Sequence, residues 1–307
     1  MTELEQYAFY EGLVARLRAR NVVCGITSGM ACVHFRVAES TKDCDILCLP
    51  TGFEELLRLL EETRIEGLAC HYRGNLSPPL EERWHRGGWT SHFTWGRGPS
   101  EITLDVFGRA LRAVEPWEEE LFGLYVSPHI VAQMKRTDRD KDWPFINSLG
   151  ETMLASGDSR GWLHIFESED VLRLLKAHPC PDEIIVLRPA LKLAMNKDRR
   201  VPGALDAERK LWEELDRARI RIYQRALRPY LAAVRKRPVS DTCTLREQHE
   251  IRLQCAAERL EPEPLKAYGV QRYIAEAQQA LIESERIPMS LVEWLPDVRA
   301  HFQYLEN

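Results

Sequence analysis

No apolar run in this chain approaches the roughly 20 residues a membrane-spanning helix needs, so no membrane partner is expected. The first residues, through Tyr7, are acidic and carry no signal-peptide pattern, which predicts a cytoplasmic protein. The eight cysteines (24, 32, 44, 48, 70, 180, 243 and 255) include no CxxC pair and lack the dense spacing of a disulfide scaffold. Reduced, buried thiols are the expected state. Zinc on Cys44 and Cys48 with His34 or His71 is the weaker reading, because Cys44 alternates with Asp43 and Asp45 along a strand pattern and packing accounts for it.

Other chemistries are missing as well. There is no phosphate loop of the G-x-x-x-x-G-K-[ST] kind, no G-x-G-x-x-G and no internal repeat. In Gly25-Ile26-Thr27-Ser28-Gly29 the serine stands one place too late for a G-x-S-x-G elbow, which argues against a serine hydrolase. The histidines form no pair at metal-ligand spacing on a helix, and His85, in a polar loop, is the one to watch.

What is present is an ordinary globular composition, 44% apolar and 29% charged, over 307 residues, a length that predicts two domains. Residues 3–19 have helical periodicity and end in Arg16, Arg18 and Arg20. A short β-branched stretch, residues 22–26, leads through Thr27-Ser28-Gly29 into a helix running to about Val37. Residues 43–49 read as a strand stopped by Pro50, followed by a helix over 52–64. Three more strands are expected over 67–72, 90–95 and 101–107, the last two joined by a hairpin turn at 96–100. The polar stretch 73–89 between the first two is long enough to be functional or mobile. From about 128 the pattern is helical, and a boundary is placed near 150. The expected architecture is α/β (α+β), a mixed sheet flanked by helices over 1–150, with a C-terminal helical domain over 151–307.

Alternation puts Asp43 and Asp45 on one face of their strand. Two carboxylates that close repel unless a cation lies between them, and Mg²⁺ (or Mn²⁺) takes such hard oxygen donors. Asp105 sits in the middle of the apolar strand Ile102-Thr103-Leu104-Asp105-Val106-Phe107, where an unpaired charge is costly, and joins the pair if the two strands are neighbours. The competing reading makes Asp43 and Asp45 strand-start acids paired with Lys42 or Arg36, and Asp105 a satisfied ion-pair partner. Three carboxylates can hold two metals about 3.5–4 Å apart, the arrangement of phosphoryl or nucleotidyl transfer. The Ser28-Gly29 turn offers backbone N–H groups at a helix start for phosphates.

These residues carry a resemblance. The turn at Gly25–Ala31, the thirteen residues after Gly29, Asp43-Cys44-Asp45, and then Asp105 within Leu104-Asp105-Val106 are similar to the pattern of nucleotidyltransferases of the polymerase-beta superfamily. Lys135 followed by Arg139-Asp140-Lys141-Asp142-Trp143 resembles the R-x-K-D helix of many bacterial members, including abortive-infection toxins and antibiotic nucleotidyltransferases. The likeness covers about residues 20–150 and departs at the turn, where Ser28-Gly29 stands in place of Gly-Gly or Gly-Ser.

The resemblance implies a nucleotidyltransferase-like core that moves a nucleoside monophosphate from an NTP to an acceptor hydroxyl. Asp43, Asp45 and Asp105 would be the metal and catalytic residues, with Ser28, Gly29, Lys135 and Lys141 holding the triphosphate. The 73–89 loop and the helical domain would choose the acceptor: RNA, protein or a small molecule. Residues 186–237 carry fifteen Lys or Arg against six Asp or Glu in a chain of net charge −5, which makes RNA a candidate partner there; internal pairing of the arginines is the competing reading. The alternative for the whole chain is a catalytically silent binding module of the same fold, in a toxin–antitoxin or other regulatory pair.

Overall fold

Helices and strands alternate along the first hundred residues because apolar side chains recur there with periods near 3.6 and then 2. Thr2 caps helix α1 (Glu3–Ala19) in a reciprocal box with Glu5. Strand β1 (Cys24–Thr27) leads directly into helix α2 (Ser28–His34), and β2 (Cys44–Cys48) ends at Leu49-Pro50 before α3 (Phe53–Glu62). Strands β3 (Arg64–Ile65), β4 (Leu68–Tyr72), β5 (Thr90–Trp95) and β6 (Ile102–Phe107) follow, with the short helix α4 (Glu82–Arg86) inside the stretch expected to be loop. The computed structural model describes residues 2–96, 98, 101–237 and 243–305. Arg97, Pro99 and Ser100 of the expected hairpin turn therefore lie outside the described residues.

Among the described residues the strands form one mixed sheet of order β3-β4-β5-β6-β2-β1-β8-β7, in which β7 (Leu121–Phe122) and β8 (Tyr125–Val126) extend the edge beyond β1. Strands β1 and β2 are antiparallel, β2 and β6 parallel. One face is apolar: Ile26, Cys44, Ile46, Cys48, Phe93, Trp95, Leu104 and Val106 are all buried. Helix α1 lies against it, with Phe9 edge-on to Trp95 at 5.3 Å between centroids. Cys24, Cys32, Cys44, Cys48, Cys70 and Cys255 are buried thiols, and Cys180 and Cys243 are half-buried.

The sequence points to one boundary near 150. The chain divides instead into two discontinuous units, the first of Met1–Leu111, Pro116–Ser127 and Ile222–Ala267, the second of Arg112–Glu115, Pro128–Arg221 and Tyr268–Asn307. Helical periodicity shows that a segment has an apolar stripe but not which core that stripe faces, and here the helical stretch 222–267 belongs with the sheet. No helix of the described residues is long and apolar enough to cross a membrane.

The second unit is helical. It contains α5 (Pro128–Met134), α6 (Trp143–Ala155), α7 (Ser168–Leu174), α8 (Asp182–Leu187), α9 (Ala190–Met195), the first part of α10 (Val201–Arg235) and α11 (Val270–Glu283). Two buried ion pairs are built into its core. Arg112 Nη1 reaches Asp216 Oδ1 at 3.0 Å, and Arg188 Nε reaches Glu208 Oε2 at 2.8 Å. Arg188 also donates to the carbonyls of Trp162 and Ile165, each at 2.7 Å, so most of its fork is matched by acceptors.

Candidate active site

The polar face of the sheet is ordered by strand register. In the parallel pair, Asp45 is the register partner of Asp105. On one side Asp45 pairs with Thr27 of β1, and on the other Asp105 pairs with His92 of β5. Arg73, just past β4, donates its backbone N–H to the His92 carbonyl at 2.8 Å. Arg73, His92, Asp105, Asp45 and Thr27 thus form a lateral row across five strands, with successive strands about 4.8 Å apart. Asp43 precedes β2 by one residue and accepts a hydrogen bond from Thr103 Oγ1 at 2.9 Å, which places it one step along the same face.

The carboxylates share one electrostatic neighbourhood. Burial pushes the Cys44 thiol well above its ordinary pKa, and the charges of Asp45, Asp105 and Asp43 add to the rise. Asp105 is also paired: Arg73 Nη2 donates to both of its oxygens, at 2.9 and 3.1 Å. His92 Nδ1 lies 2.8 Å from Asp105 Oδ1. A carboxylate oxygen only accepts, so Nδ1 is the nitrogen that carries a proton toward it. The 3.2 Å between Arg73 Nη2 and His92 Nδ1 follows from their shared acceptor.

Helix α2 begins at the end of this row. Ser28 follows Thr27 directly and takes a left-handed backbone, φ 53°, a strained conformation for a residue with a Cβ. Gly29 lies so close to Thr41 that an added Cβ would collide with the Thr41 hydroxyl. Thr41 belongs to the lead-in to β2, which α1 holds: Tyr7 receives the Thr41 N–H at 2.8 Å, and Gln6 donates to the Lys42 carbonyl at 2.8 Å. The glycine therefore allows the turn and the carboxylate strand to approach.

Lys135 and Lys141 belong to the second unit. Lys135 is buried, with its ammonium 3.2 Å from Asp142 Oδ1, a carboxylate that Thr137 and Arg139 also engage. Lys141 is exposed on the turn Asp140–Asp142. Strand register brings together Asp43, Asp45, Asp105 and the Ser28-Gly29 turn; the two lysines sit on separate elements with a local role visible for Lys135 alone. No family model matches the chain. No curated protein matches it either.

Among the described residues no group of three or more His, Cys, Asp or Glu is arranged to hold a metal ion. The donor chemistry of Asp45 and Asp105 suits a hard divalent cation, being two carboxylates on neighbouring strands with a third two residues upstream. Arg73 and His92 were not singled out from the sequence. His92 alternates with the buried Phe93 and Trp95, a pattern that marks it as outward-facing, but its pairing with Asp105 depends on the hairpin register.

The 73–89 stretch is clamped rather than free. Tyr230 donates to the Ser77 carbonyl at 2.7 Å, Arg252 to Gly74 at 2.7 Å, and Tyr223 to Gly87. The indoles of Trp84 and Trp89 donate to Leu260 and Glu261 at 3.3 and 2.9 Å. Both tyrosines are buried. His85 is buried too, with Nε2 2.9 Å from Ser91 Oγ, and burial depresses its pKa to about 3, so it is neutral.

The basic stretch divides in two. From 188 to 221 most arginines have carboxylate partners: Arg188 with Glu208, Arg200 with Asp198, Arg209 and Arg217 with Glu213, Arg219 with Asp216, and Arg221 with Glu214. Beyond that, Arg225, Arg228, Arg235, Lys236 and Arg237 are exposed and form no ion pair among the described residues.

Proposed function

We propose that the first unit is a metal-dependent nucleotidyltransferase, moving a nucleoside monophosphate from an NTP to an acceptor hydroxyl with release of pyrophosphate. The observation that carries this reading is the register match of Asp45 with Asp105, beside the turn that opens α2. In it, Asp43, Asp45 and Asp105 supply carboxylate oxygens to Mg²⁺ or Mn²⁺, which when bound would polarise the triphosphate as a Lewis acid. Asp105 orients the acceptor hydroxyl and takes its proton. The Ser28 and Gly29 backbone N–H groups receive phosphate oxygens. An RNA acceptor would follow the unpaired cations from Arg225 to Arg237 rather than the paired arginines before them.

The test is transfer of label from each NTP, with Mg²⁺ or Mn²⁺, to total RNA or lysate protein. Asp45→Asn and Asp105→Asn are expected to reduce it to background. Transfer unchanged in both variants would sink the reading. A second reading, a silent binding module of a regulatory pair, is favoured by the Arg73 guanidinium on both oxygens of Asp105, since that ion pair already balances the carboxylate. It predicts no transfer from any NTP and no dependence of stability on divalent cations.

A further inference from the structure

A cavity of about 850 Å³ lies wholly within the second unit, formed by the end of α7, the turn after it, α9 and the start of α10. That volume is in the range of small-ligand sites, roughly 300–1,000 Å³. Its wall is apolar, built from Leu172, Leu175, Met195 and Pro202 among others. Leu172 and Met195 keep 39% and 50% of their surface exposed, an uneconomical arrangement for side chains that face only water. Trp162 fixes the wall from behind by donating to the Pro179 carbonyl at 2.9 Å.

The lining has a definite charge. Lys176, Lys197 and Arg199 contribute to it, all three are exposed, and none forms an ion pair among the described residues. The acid among the lining residues, Asp198, is already engaged by Arg200 through Nε at 3.1 Å, Nη2 at 2.9 Å and the backbone N–H at 2.8 Å. Cys180 is no counter-ion, because burial raises its thiol to about 11. Lys197 has a left-handed backbone, φ 53°, so the turn that carries it past the end of α9 is held in a strained form. An apolar cavity with three cations outside any ion pair among the described residues is complementary to a molecule with a hydrocarbon body and one anionic head.

We infer that this cavity binds a small amphipathic organic anion, with its hydrocarbon part against Leu172, Leu175 and Met195 and its carboxylate or phosphate head toward Lys176, Lys197 and Arg199. The test is titration calorimetry of the full chain with decanoate, decyl phosphate, decanol and decyltrimethylammonium, each below its micelle concentration. Saturable one-to-one binding of either anion is expected, at least tenfold tighter than the neutral and cationic probes. The difference between decanoate and decyl phosphate reports which head group the site prefers. Lys197→Glu with Arg199→Glu, both at exposed positions, is expected to weaken anion binding at least tenfold without moving the melting temperature, and Leu175→Trp to block it by filling the cavity. Equal binding of decanol and decanoate would overturn the proposal, as would the absence of saturable binding or an affinity indifferent to the charge reversals.

Discussion

Asp45 and Asp105 are register partners on neighbouring parallel strands, although sixty residues of chain separate them. Their closeness is a consequence of backbone pairing, so the carboxylates cannot drift apart while the sheet is intact. The repulsion between them is offset on one side by Arg73, which is the point at which the site can be perturbed most cleanly. Arg73→Ala removes a cation that competes with any metal for Asp105. It is expected to tighten Mn²⁺ binding roughly tenfold, about 1.4 kcal/mol. The ion pair is partly exposed, so the cost to stability stays within about 1 kcal/mol. Electron paramagnetic resonance of free Mn²⁺ measures the first quantity and a urea transition the second. Weaker Mn²⁺ binding in the variant would mean that Arg73 organises the site instead of occupying it.

A buried guanidinium differs from a half-exposed one. Arg188 is almost fully buried, paired to Glu208, bonded to two carbonyls and placed 4.3 Å from the Phe166 ring. Arg188→Ala leaves the Glu208 carboxylate buried without its partner, which costs about 3–5 kcal/mol. Arg188→Met with Glu208→Leu removes both charges and is expected to recover at least half of that loss. Chemical denaturation of the two variants decides it: equal destabilisation would show that packing and carbonyl bonding, not the stranded charge, dominate.

Stability also depends on pH with a definite sign. Burial lowers the pKa of His85 to about 3, His249 to about 4 and His301 to about 4, and holds His164 well below its ordinary value. Each stays neutral in the folded chain while the unfolded chain takes up a proton near 6.5. Their contribution is therefore complete above pH 6.5 and is lost as pH falls toward the folded values, at about 1.4 kcal/mol per pH unit for each group. The urea midpoint is expected to drop steeply between pH 7 and pH 5. A flat midpoint over that interval would show that these imidazoles remain hydrated.

Much of this was legible in the sequence. The period-2 stretches around Ile46 and Leu104 and the helical period of α1 and α3 announced the mixed sheet and its flanking helices, and alternation put Asp43 and Asp45 on one face. What alternation does not contain is which strand lies beside which. Arg73 and His92 were overlooked because their meeting with Asp105 is set by pairings across β4, β5 and β6. The short edge strands β7 and β8 were missed because two-residue strands have no period. The return of Tyr223, Tyr230 and Arg252 to clamp the 73–89 stretch is a long-range contact of helices whose apolar stripes give no address.

That clamp yields its own expectation. Tyr230 gives its hydroxyl hydrogen to the Ser77 carbonyl, and Tyr230→Phe removes it with little change of volume. A loss of about 1–2 kcal/mol is expected, because the carbonyl is left without that donor in a buried setting. Limited proteolysis should then begin within residues 73–81 before other sites. Cleavage that starts elsewhere, at an unchanged rate here, would show that the remaining bonds to Gly74 and Gly87 are sufficient.

Gly29 separates two explanations of the turn beside the carboxylates. A glycine there either admits a phosphate or admits Thr41, and the structure already accounts for the second. Gly29→Ala places a Cβ against the Thr41 hydroxyl, an overpacking that costs about 1–3 kcal/mol. Thr41→Ala in the same chain removes the hydroxyl and methyl while keeping the Cβ, and is expected to restore about half of the lost stability. If nucleotide binding, followed by protection of the melting transition with Mg²⁺ and each NTP, returns together with stability in the double variant, the glycine serves approach of the two backbone segments. If stability returns and nucleotide protection does not, the space above Gly29 is where the phosphate goes, and the added methyl occupies it.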